Sequence, residues 1–458
     1  MLGKTKHIHF VGIGGIGMSG MAELLYNLGF EISGSDSKKS DRTKRLNLMG
    51  MNINIGHTSN EISKSDVVVF SSAVKKDNPE IINANKHKIP VIRRAEMLSE
   101  LLKVKSTSIA IAGTHGKTTT CSMLGSILIT AELNPTLVIG GIVNEIGSNS
   151  MHGNGDIIVV EADEFDRTFL SLKPTLALIN NLDLEHLDCY ENLEDLQEAF
   201  LQFSNSVPFY GKVFINIDDN NTIEMINKIK RPYITYGFSN NADIQAKNPT
   251  FNKLNSNFDL YINKKLITNI QLHVPGKHNI MNALAAISIC SELDIDYKKI
   301  EHGLKNFSGV QRRFDIKYVL DNGIKLIDDY AHHPAEVNSV LDAIKSGWGN
   351  RIIAIFQPHL FSRTKDFHIE FAQALYKADI VIITDIFGAR EEPIEGITSQ
   401  IIIDDLYKLG HNDINYIPQK ENIPGYLNKI VNNNDMIITM GAGNIWREID
   451  NIYNILNT

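Results

Sequence analysis

The 458-residue sequence contains few cysteines, and they lie far apart. Cys121, Cys189 and Cys290 form no C-x-x-C pair. This spacing excludes a disulfide framework and argues against a cysteine-rich zinc cluster. We therefore expect a soluble protein of a reducing compartment, the cytoplasm.

Long apolar runs, a signal-peptide core and an excess of basic residues are also missing. No apolar run approaches the roughly 20 residues of a membrane span, and the short one after residue 7 leads into glycines. Lysine and arginine number 45 against 53 acidic residues, which gives a formal charge of −8. Duplex nucleic acid needs a basic surface. We therefore expect neither nucleic acid nor a membrane as a partner. For the oligomeric state we expect a monomer or a weak homodimer.

What is present is a regular alternation of apolar strands and helices. Continuous apolar strands separated by helices are typical of parallel sheets covered on both faces. At about 150 residues per domain, the length suggests roughly three domains. The sequence predicts an α/β protein with domains at 1–104, 105–310 and 311–458. A polar stretch at 242–274 predicts an antiparallel excursion.

A glycine loop follows the first predicted strand. Residues 12–17 fit G-x-G-x-x-G directly before a helix, and Asp36 lies 19 residues further on. Such loops bring the backbone and a helix N-terminus close to a diphosphate. Taken alone, the motif favours NAD or FAD and does not exclude a UDP-sugar. Gly14, Gly15, Gly17 and Asp36 are the candidate ligand contacts.

A second loop has the composition of a phosphate-binding loop. It is shorter than the usual G-x-x-x-x-G-K-[ST], because residue 111 is isoleucine. Loop amides can surround a phosphate, Lys117 can neutralise its oxygens and the Thr118 hydroxyl can ligate Mg²⁺. The candidate residues of this loop are Gly113, Thr114, His115, Gly116, Lys117, Thr118 and Thr119. Two nucleotide-type loops argue against a dehydrogenase, which needs one.

Acidic and histidine side chains follow the next strands. Glu161 ends a predicted strand beside the phosphate loop, where a metal ligand is expected. Asp163 and Glu164 come next, and the sequence leaves open whether they belong to the site or are loop acids exposed to solvent. His186 follows a later strand end and could hold a second metal ion.

Taken together, the motifs resemble those of the Mur ligases. They span residues 8 to about 396 and occur in this order: GIGGIGMSGMAE, GTHGKTTT, EADEFD, LDLEHLD, PGKHNIMNA, GVQRRFD, DDYAHHPAEV and FQPHLFSRT. The resemblance implies a Rossmann-like N-terminal domain for a UDP-sugar, a P-loop-type central ATPase domain and a Rossmann-like C-terminal domain on the amino-acid side. It is strongest to the branch that joins L-alanine to the lactyl carboxylate of UDP-N-acetylmuramate. That reaction converts ATP into ADP and phosphate in peptidoglycan precursor synthesis.

The resemblance also implies roles for individual residues. The positions that match the family's motifs are Lys117 and Thr118 at the ATP phosphates, Glu161 and His186 at two Mg²⁺ ions, Asn279 and Asn282 on the adenine side, Arg313 at the hinge into the third domain, Asp329, His332 and His333 in the third domain's part of the active centre, and Gly14, Gly15 and Gly17 at the UDP diphosphate. Without the resemblance, the two asparagines predict only a helix start and a polar helix face, and Arg313 predicts a surface charge.

Other functions stay open at this point. Within the family, a ligase could attach a recycled tripeptide to the same UDP-sugar or add a later residue. Folylpolyglutamate synthetase shares the two later domains but lacks the UDP-binding one. An NAD-dependent oxidoreductase would explain the first glycine loop but not the second, and a nucleotide-gated binding protein would turn over no ATP.

Overall fold

A computed structural model describes residues 2–58, 62–71, 73–75, 77–144, 147–183, 189–389 and 391–457. The chain divides into two compact units. One consists of residues 1–247, 259–270 and 281–307, and the other of residues 248–258, 271–280 and 308–458. The chain forms three sheets: the first and most of the second belong to the first unit, and the third belongs to the second unit.

The first sheet has five parallel strands in the order β3-β2-β1-β4-β5. Its elements are β1 (His7–Val11), α1 (Ile16–Asn27), β2 (Glu31–Asp36), α2 (Asp41–Leu48), β3 (Asn52–Ile55), β4 (Val67–Phe70), α3 (Pro79–Lys86), β5 (Val91–Arg93) and α4 (Arg94–Leu102). Strand β1 is central, so the chain winds in opposite directions on its two sides. Ligands of open α/β sheets bind at the carboxyl ends of the strands at such a point, and the glycine loop is located there.

Strand β2 is longer at its carboxyl end than the pattern indicates. The sequence predicts a strand over 30–33, whereas the strand continues to Asp36. Its polar residues are accommodated because their backbones pair on both sides, Ser35 with Val11 of β1 and Asp36 with Ile55 of β3. Asp36 is therefore the last residue of the strand and does not lie beyond it.

The second sheet has ten strands in the order β15-β14-β13-β12-β11-β10-β6-β9-β7-β8. Its elements are β6 (Thr107–Ala112), α5 (Lys117–Thr130), β7 (Thr136–Val143), β8 (Ser148–Met151), β9 (Ile157–Glu161), β10 (Leu176–Ile179), α6 (Leu193–Asn205), β11 (Lys212–Asn216), α7 (Asn220–Ile226), β12 (Tyr233–Gly237), β13 (Ile244–Asn252), β14 (Asn255–Ile262), β15 (Lys265–Leu272), α8 (Lys277–Glu292) and α9 (Tyr297–Asn306). Strand β6 lies between β9 and β10 in parallel register. The phosphate loop leaves this central strand and enters α5.

The polar stretch after β12 forms the predicted excursion. Strands β13, β14 and β15 are neighbours joined by two-residue connections, which makes them a meander of hairpins. Asn263 and Lys264, between β14 and β15, have φ values of 47° and 66°. Positive φ at both positions suits the tight turns that match strand twist.

The third sheet has six strands in the order β16-β17-β21-β18-β19-β20, and only β16 is antiparallel to its neighbour. Its elements are β16 (Asp315–Val319), β17 (Lys325–Asp329), α10 (Pro334–Gly347), β18 (Ile352–Phe356), α11 (Phe361–Leu375), β19 (Ile380–Ile383), α12 (Gln400–Lys408), β20 (Ile414–Tyr416), α13 (Ile423–Ile430), β21 (Met436–Met440) and α14 (Glu448–Leu456). Two apolar clusters cover its faces. The three sheets confirm the predicted α/β class.

Among the described residues, no helix combines the length and apolar character needed to cross a membrane.

The core of the first unit includes an aromatic cluster that we expect to control its stability. Phe200 on α6 is fully buried, and its ring lies 5.0 Å from that of Phe169. Phe200→Ala should cost about 3–5 kcal/mol, because it removes apolar contacts and leaves a cavity. Leu48→Ala is the control, because Leu48 is 89% exposed. Unfolding in urea followed by circular dichroism tests this, and equal midpoints for the two variants would contradict it.

Candidate active site

The glycine loop after β1 uses most of its amides within the protein. The amides of Gly12 and Ile13 both donate to the carbonyl oxygen of Ser35. The Gly14 amide donates to Asp36 Oδ2 at 2.8 Å. A Cβ at Gly14 would lie 2.8 Å from the same oxygen, so a side chain here would displace the Asp36 carboxylate. Asp36 thus fixes the loop from the end of β2.

The phosphate loop between β6 and α5 is held through its backbone. Gly113 and Gly116 have φ values of 128° and 81°, a region that favours glycine. The Thr114 amide donates to the backbone carbonyl of Asn181. The His115 amide donates to the side-chain oxygen of Asn181 at 2.8 Å. The residues that follow β10 therefore form one wall of this loop.

Two further side chains tie the loop to the same wall. The Thr114 hydroxyl donates to the carbonyl of Asp183 at 3.1 Å and accepts from the Asp183 amide at 2.9 Å. His115 Nε2 lies 2.9 Å from an oxygen of the Asp183 carboxylate. Thr114 and His115 thus shape the loop.

Lys117 is the centre of a buried charge pair. Its ammonium donates to Glu164 Oε2 at 2.7 Å, to the carbonyl of Gly113 at 2.6 Å and to that of Thr114 at 3.1 Å. Burial alone would lower the pKa of Lys117, but the neighbouring carboxylates, chiefly Glu164, raise it above its ordinary value. The lysine is therefore fully charged near neutral pH.

Glu164 is a site residue that the sequence alone did not identify. The alternative of a solvated loop acid is wrong for it, because its side chain is 2% exposed. The hydroxyl of Tyr190 donates to its backbone carbonyl at 2.7 Å. Position 164 is the second glutamate of an E-x-x-E pair, and the pattern gives no sign of which one meets the lysine.

Thr118 and Glu161 come together, as predicted. The Thr118 hydroxyl lies 2.9 Å from Glu161 Oε2, which also accepts from the Gly140 amide at 2.7 Å. A hydroxyl and a carboxylate are oxygen ligands of the kind that Mg²⁺ prefers, so these donors fit the predicted ion. His186, the predicted ligand of a second ion, lies outside the described residues.

Backbone N–H groups in the first turn of α5 are further candidate donors to a phosphate. The amides of Lys117, Thr118 and Thr119 have no acceptor among the residues that the structure describes, as expected for the start of a helix. The first turn carries no acidic residue. Such a turn attracts anions through its amides and its dipole.

A buried polar network supports the loop from behind. Thr120 on α5 donates to Asn282 Oδ1 at 3.2 Å and accepts from Asn180 Nδ2 at 3.2 Å. Asn180 also donates to the His115 carbonyl, and the Tyr236 hydroxyl donates to Asn180 Oδ1. Asn282 is 7% exposed, and its Oδ1 fills the space that a Cβ at Gly116 would need.

Sequence reasoning missed Thr120, Asn180 and Tyr236. Their only sign was a pair of asparagines ending an apolar strand.

In the second unit, Asp329 ends β17 as a buried carboxylate. Its oxygens accept from the amides of Phe314 at 2.6 Å and Ala331 at 2.7 Å. Burial raises the pKa of Asp329 to about 6, although Arg313 and the two amides act in the opposite direction. Asp329 therefore joins the backbone directly after Arg313 to the turn that follows β17.

Glu336, also missed from the sequence, links several predicted residues of this unit. It lies 3.3 Å from Arg313 Nη1 and accepts from the amides of His332 and His333. His333 is the N-cap residue of α10, and its ring lies 5.1 Å from that of Phe367. The His332 ring instead bonds the Tyr330 carbonyl. The two adjacent imidazoles thus point in different directions, which weakens a joint role as a metal pair.

Arg312 and Asn279 complete this part of the unit. Arg312 pairs with the buried carboxylate of Asp328 at 2.9 Å and donates to the Gly441 carbonyl. Of the two adjacent arginines, only Arg313 was predicted to be functional. Asn279, at the start of α8, donates to the Pro275 carbonyl at 2.7 Å. Its side chain closes the turn that begins the helix.

His278, near the start of α8, should make the stability of the protein depend on pH. Burial, aided by the charge of Arg313, lowers the pKa of His278 to about 4. A lowered folded-state pKa contributes stability that is complete above about pH 6.5 and is lost as the pH falls towards 4. Between pH 7 and 5, the unfolding midpoint of the parent protein should therefore fall by about 2 °C more than that of His278→Gln. Thermal unfolding at both pH values measures this.

The exposed neighbour His273 provides the control. His273→Gln should keep the pH dependence of the parent protein. A His278→Gln variant whose midpoint follows the parent protein at both pH values would contradict the assignment.

Comparison with known proteins agrees with this geometry. Family models match residues 7–106 (Mur ligase family, catalytic domain), 111–290 (Mur ligase middle domain) and 312–443 (Mur ligase, glutamate ligase domain). The UDP-N-acetylmuramate–L-alanine ligase of Geotalea daltonii is 46% identical over 445 residues, which cover 97% of each protein.

Solved structures give the same result. The UDP-N-acetylmuramate–alanine ligase of Thermotoga maritima is 30% identical, with a TM-score of 0.82 and 98% of both chains covered. A murein peptide ligase from Psychrobacter arcticus is 25% identical, with a TM-score of 0.71 and 99% of both chains covered. The family predicted from the motifs is confirmed, and the chain belongs to the Mur ligases.

Proposed function

We propose that the protein joins the amino group of L-alanine to the lactyl carboxylate of UDP-N-acetylmuramate and converts ATP into ADP and phosphate. The observation that carries this proposal is the phosphate loop with its buried lysine, in the same unit as a second glycine loop suited to a diphosphate. Curated relatives with the name of this reaction are 44–46% identical over nearly the whole chain, and they confirm the ligase prediction.

The chemistry explains why ATP is needed. A carboxylate does not react with an amine at neutral pH, because its oxygen is a poor leaving group. In the proposed reaction the lactyl carboxylate attacks the γ-phosphorus of ATP, ADP leaves and an acyl phosphate forms. The deprotonated amine of alanine then attacks the acyl carbon, and phosphate leaves as the amide bond forms.

The first step brings two anions together, and the proposed roles of the residues follow from that. Lys117 and the amides of the loop at 113–119 hold the phosphates of ATP and neutralise their charge. Magnesium ions held by Thr118, Glu161 and His186 would supply further positive charge at the transferred phosphoryl group. Glu164 is the counter-ion that Lys117 leaves when it turns to the phosphates.

The remaining predicted residues belong to the same proposal. Gly14, Gly15, Gly17 and Asp36 form the UDP-sugar side, and Asn279 and Asn282 the adenine side. Arg313, Asp329, His332 and His333 serve the amino-acid side. The proposed domains, 1–104, 105–310 and 311–458, lie close to the three family matches. A cytoplasmic location is part of the proposal, because ATP is a substrate.

A ligase for a recycled tripeptide is the second candidate. The likeness to the murein peptide ligase of Psychrobacter arcticus favours it, at 25% identity. The higher identity to alanine-adding relatives favours L-alanine. An oxidoreductase would leave Lys117 and its loop without a role.

The first test is phosphate release from ATP with Mg²⁺. We expect release only when UDP-N-acetylmuramate and L-alanine are both present. Lys117→Ala should reduce the rate at least about 100-fold, because charge stabilisation of the phosphoryl group is lost. Lys103→Ala, which removes an exposed lysine of the same unit, should match the parent protein. Release that needs the tripeptide and not alanine would support the second candidate, and no release with either would contradict both.

The network behind the loop gives a second test. Thr120→Val preserves the shape of the side chain and removes the hydroxyl between Asn180 and Asn282. Loss of a buried hydrogen bond costs about 1–3 kcal/mol, and we expect about a tenfold rise in KM for ATP with little change in KM for L-alanine. Thr120→Ser retains the hydroxyl and should stay close to the parent values. Equal KM values for ATP in the two variants would contradict this role.

A further inference from the structure

The start of α1 has unused donors even though the loop before it does not. The amides of residues 12–14 donate to groups at the end of β2, and the Gly15 amide donates to the Gly12 carbonyl. The next amides, those of Gly17 and Met18, have no acceptor within the described part of the chain. An anion at this loop would therefore meet the first turn of the helix.

Arg94, the first residue of α4, lies against this turn. A Cβ at Gly17 would overlap the guanidinium and would be 3.1 Å from its Cζ and 3.4 Å from Cδ. Gly17 therefore makes room for Arg94. The side chain is 34% exposed, so most of its surface is covered by protein.

The guanidinium is poorly paired where it lies. Its one ion pair among the described residues is with Asp163, at 3.8 Å between Nη2 and Oδ2, and no described residue accepts a hydrogen bond from it. A cation beside a helix N-terminus is unfavourable by itself, because the helix dipole places positive charge there. A shared anion would remove this conflict, since both the amides and the guanidinium bind phosphate oxygens.

We propose that Arg94 binds the diphosphate of the UDP-sugar together with the first-turn amides of α1, and that Asp163 holds its guanidinium when the diphosphate is absent. The inference rests on the proposed function and adds a residue to its UDP-sugar side. Asp163 also acts on Lys117, whose pKa it helps to raise. It thus acts electrostatically on the cations of both loops, and it competes with the diphosphate for Arg94.

The test uses UDP as the probe in titration calorimetry with the full-length protein. Arg94→Ala should weaken UDP binding at least about tenfold, and Arg94→Lys should lie between, because lysine keeps the charge without the fork of donors. Asp163→Asn should bind UDP about two- to threefold more tightly, since it removes the competing charge. Arg45→Ala is the control, because Arg45 pairs with Glu23 on the same domain.

Kinetics and folding separate a contact from a structural effect. In the ligase assay, Arg94→Ala should raise KM for UDP-N-acetylmuramate about tenfold, with KM for ATP and the thermal midpoint unchanged. UDP binding within twofold of the parent protein, or an equal rise in KM for ATP, would overturn the inference. If the parent protein itself binds no UDP, the proposed function is contradicted. If the parent protein and Arg94→Ala bind UDP equally well, only the role of Arg94 is contradicted.

Discussion

The arrangement of the candidate site in the first unit depends on how the four-residue turn between β6 and α5 is fixed. Gly113 and Gly116 adopt positive φ values, and neither could carry a side chain, because Asn180 and Asn282 occupy the space on that side. Hydrogen bonds from the wall after β10 fix the turn further. The first amides of α5 take no part in these bonds. The shorter loop therefore relies on neighbouring strands for rigidity.

Charge is organised around the same turn. Lys117 is buried with Glu164, and Glu161 and Asp163 lie close enough to raise its pKa. Removing one member of a buried pair leaves an uncompensated charge, which is costly. In the proposed function, a phosphate of ATP replaces Glu164 as the partner of Lys117, so the lysine is never left unpaired. The pair thus keeps the lysine charged and oriented at the start of α5.

Sequence patterns predicted what is local and missed what is brought together by the fold. The two glycine loops, the strands before them and the contact of Thr118 with Glu161 follow from short motifs at strand ends. The roles of Asn282 and Asp36 within the fold were not visible, because a residue that supports a loop has the same side chain as one that binds a ligand. Glu164 was ambiguous because burial depends on packing between elements. Arg94 carries no motif and is recognised only by its position over Gly17.

The two glycine loops solve one electrostatic problem in different ways. At the phosphate loop, the lysine belongs to the loop itself, and its carboxylate, that of Glu164, comes from the segment after β9. At the first loop, the amides of Gly12 to Gly15 are used internally, so the cation must come from elsewhere, and α4 supplies it. Asp163 lies within reach of both cations. An anion that binds at either loop therefore changes the charge balance around Asp163.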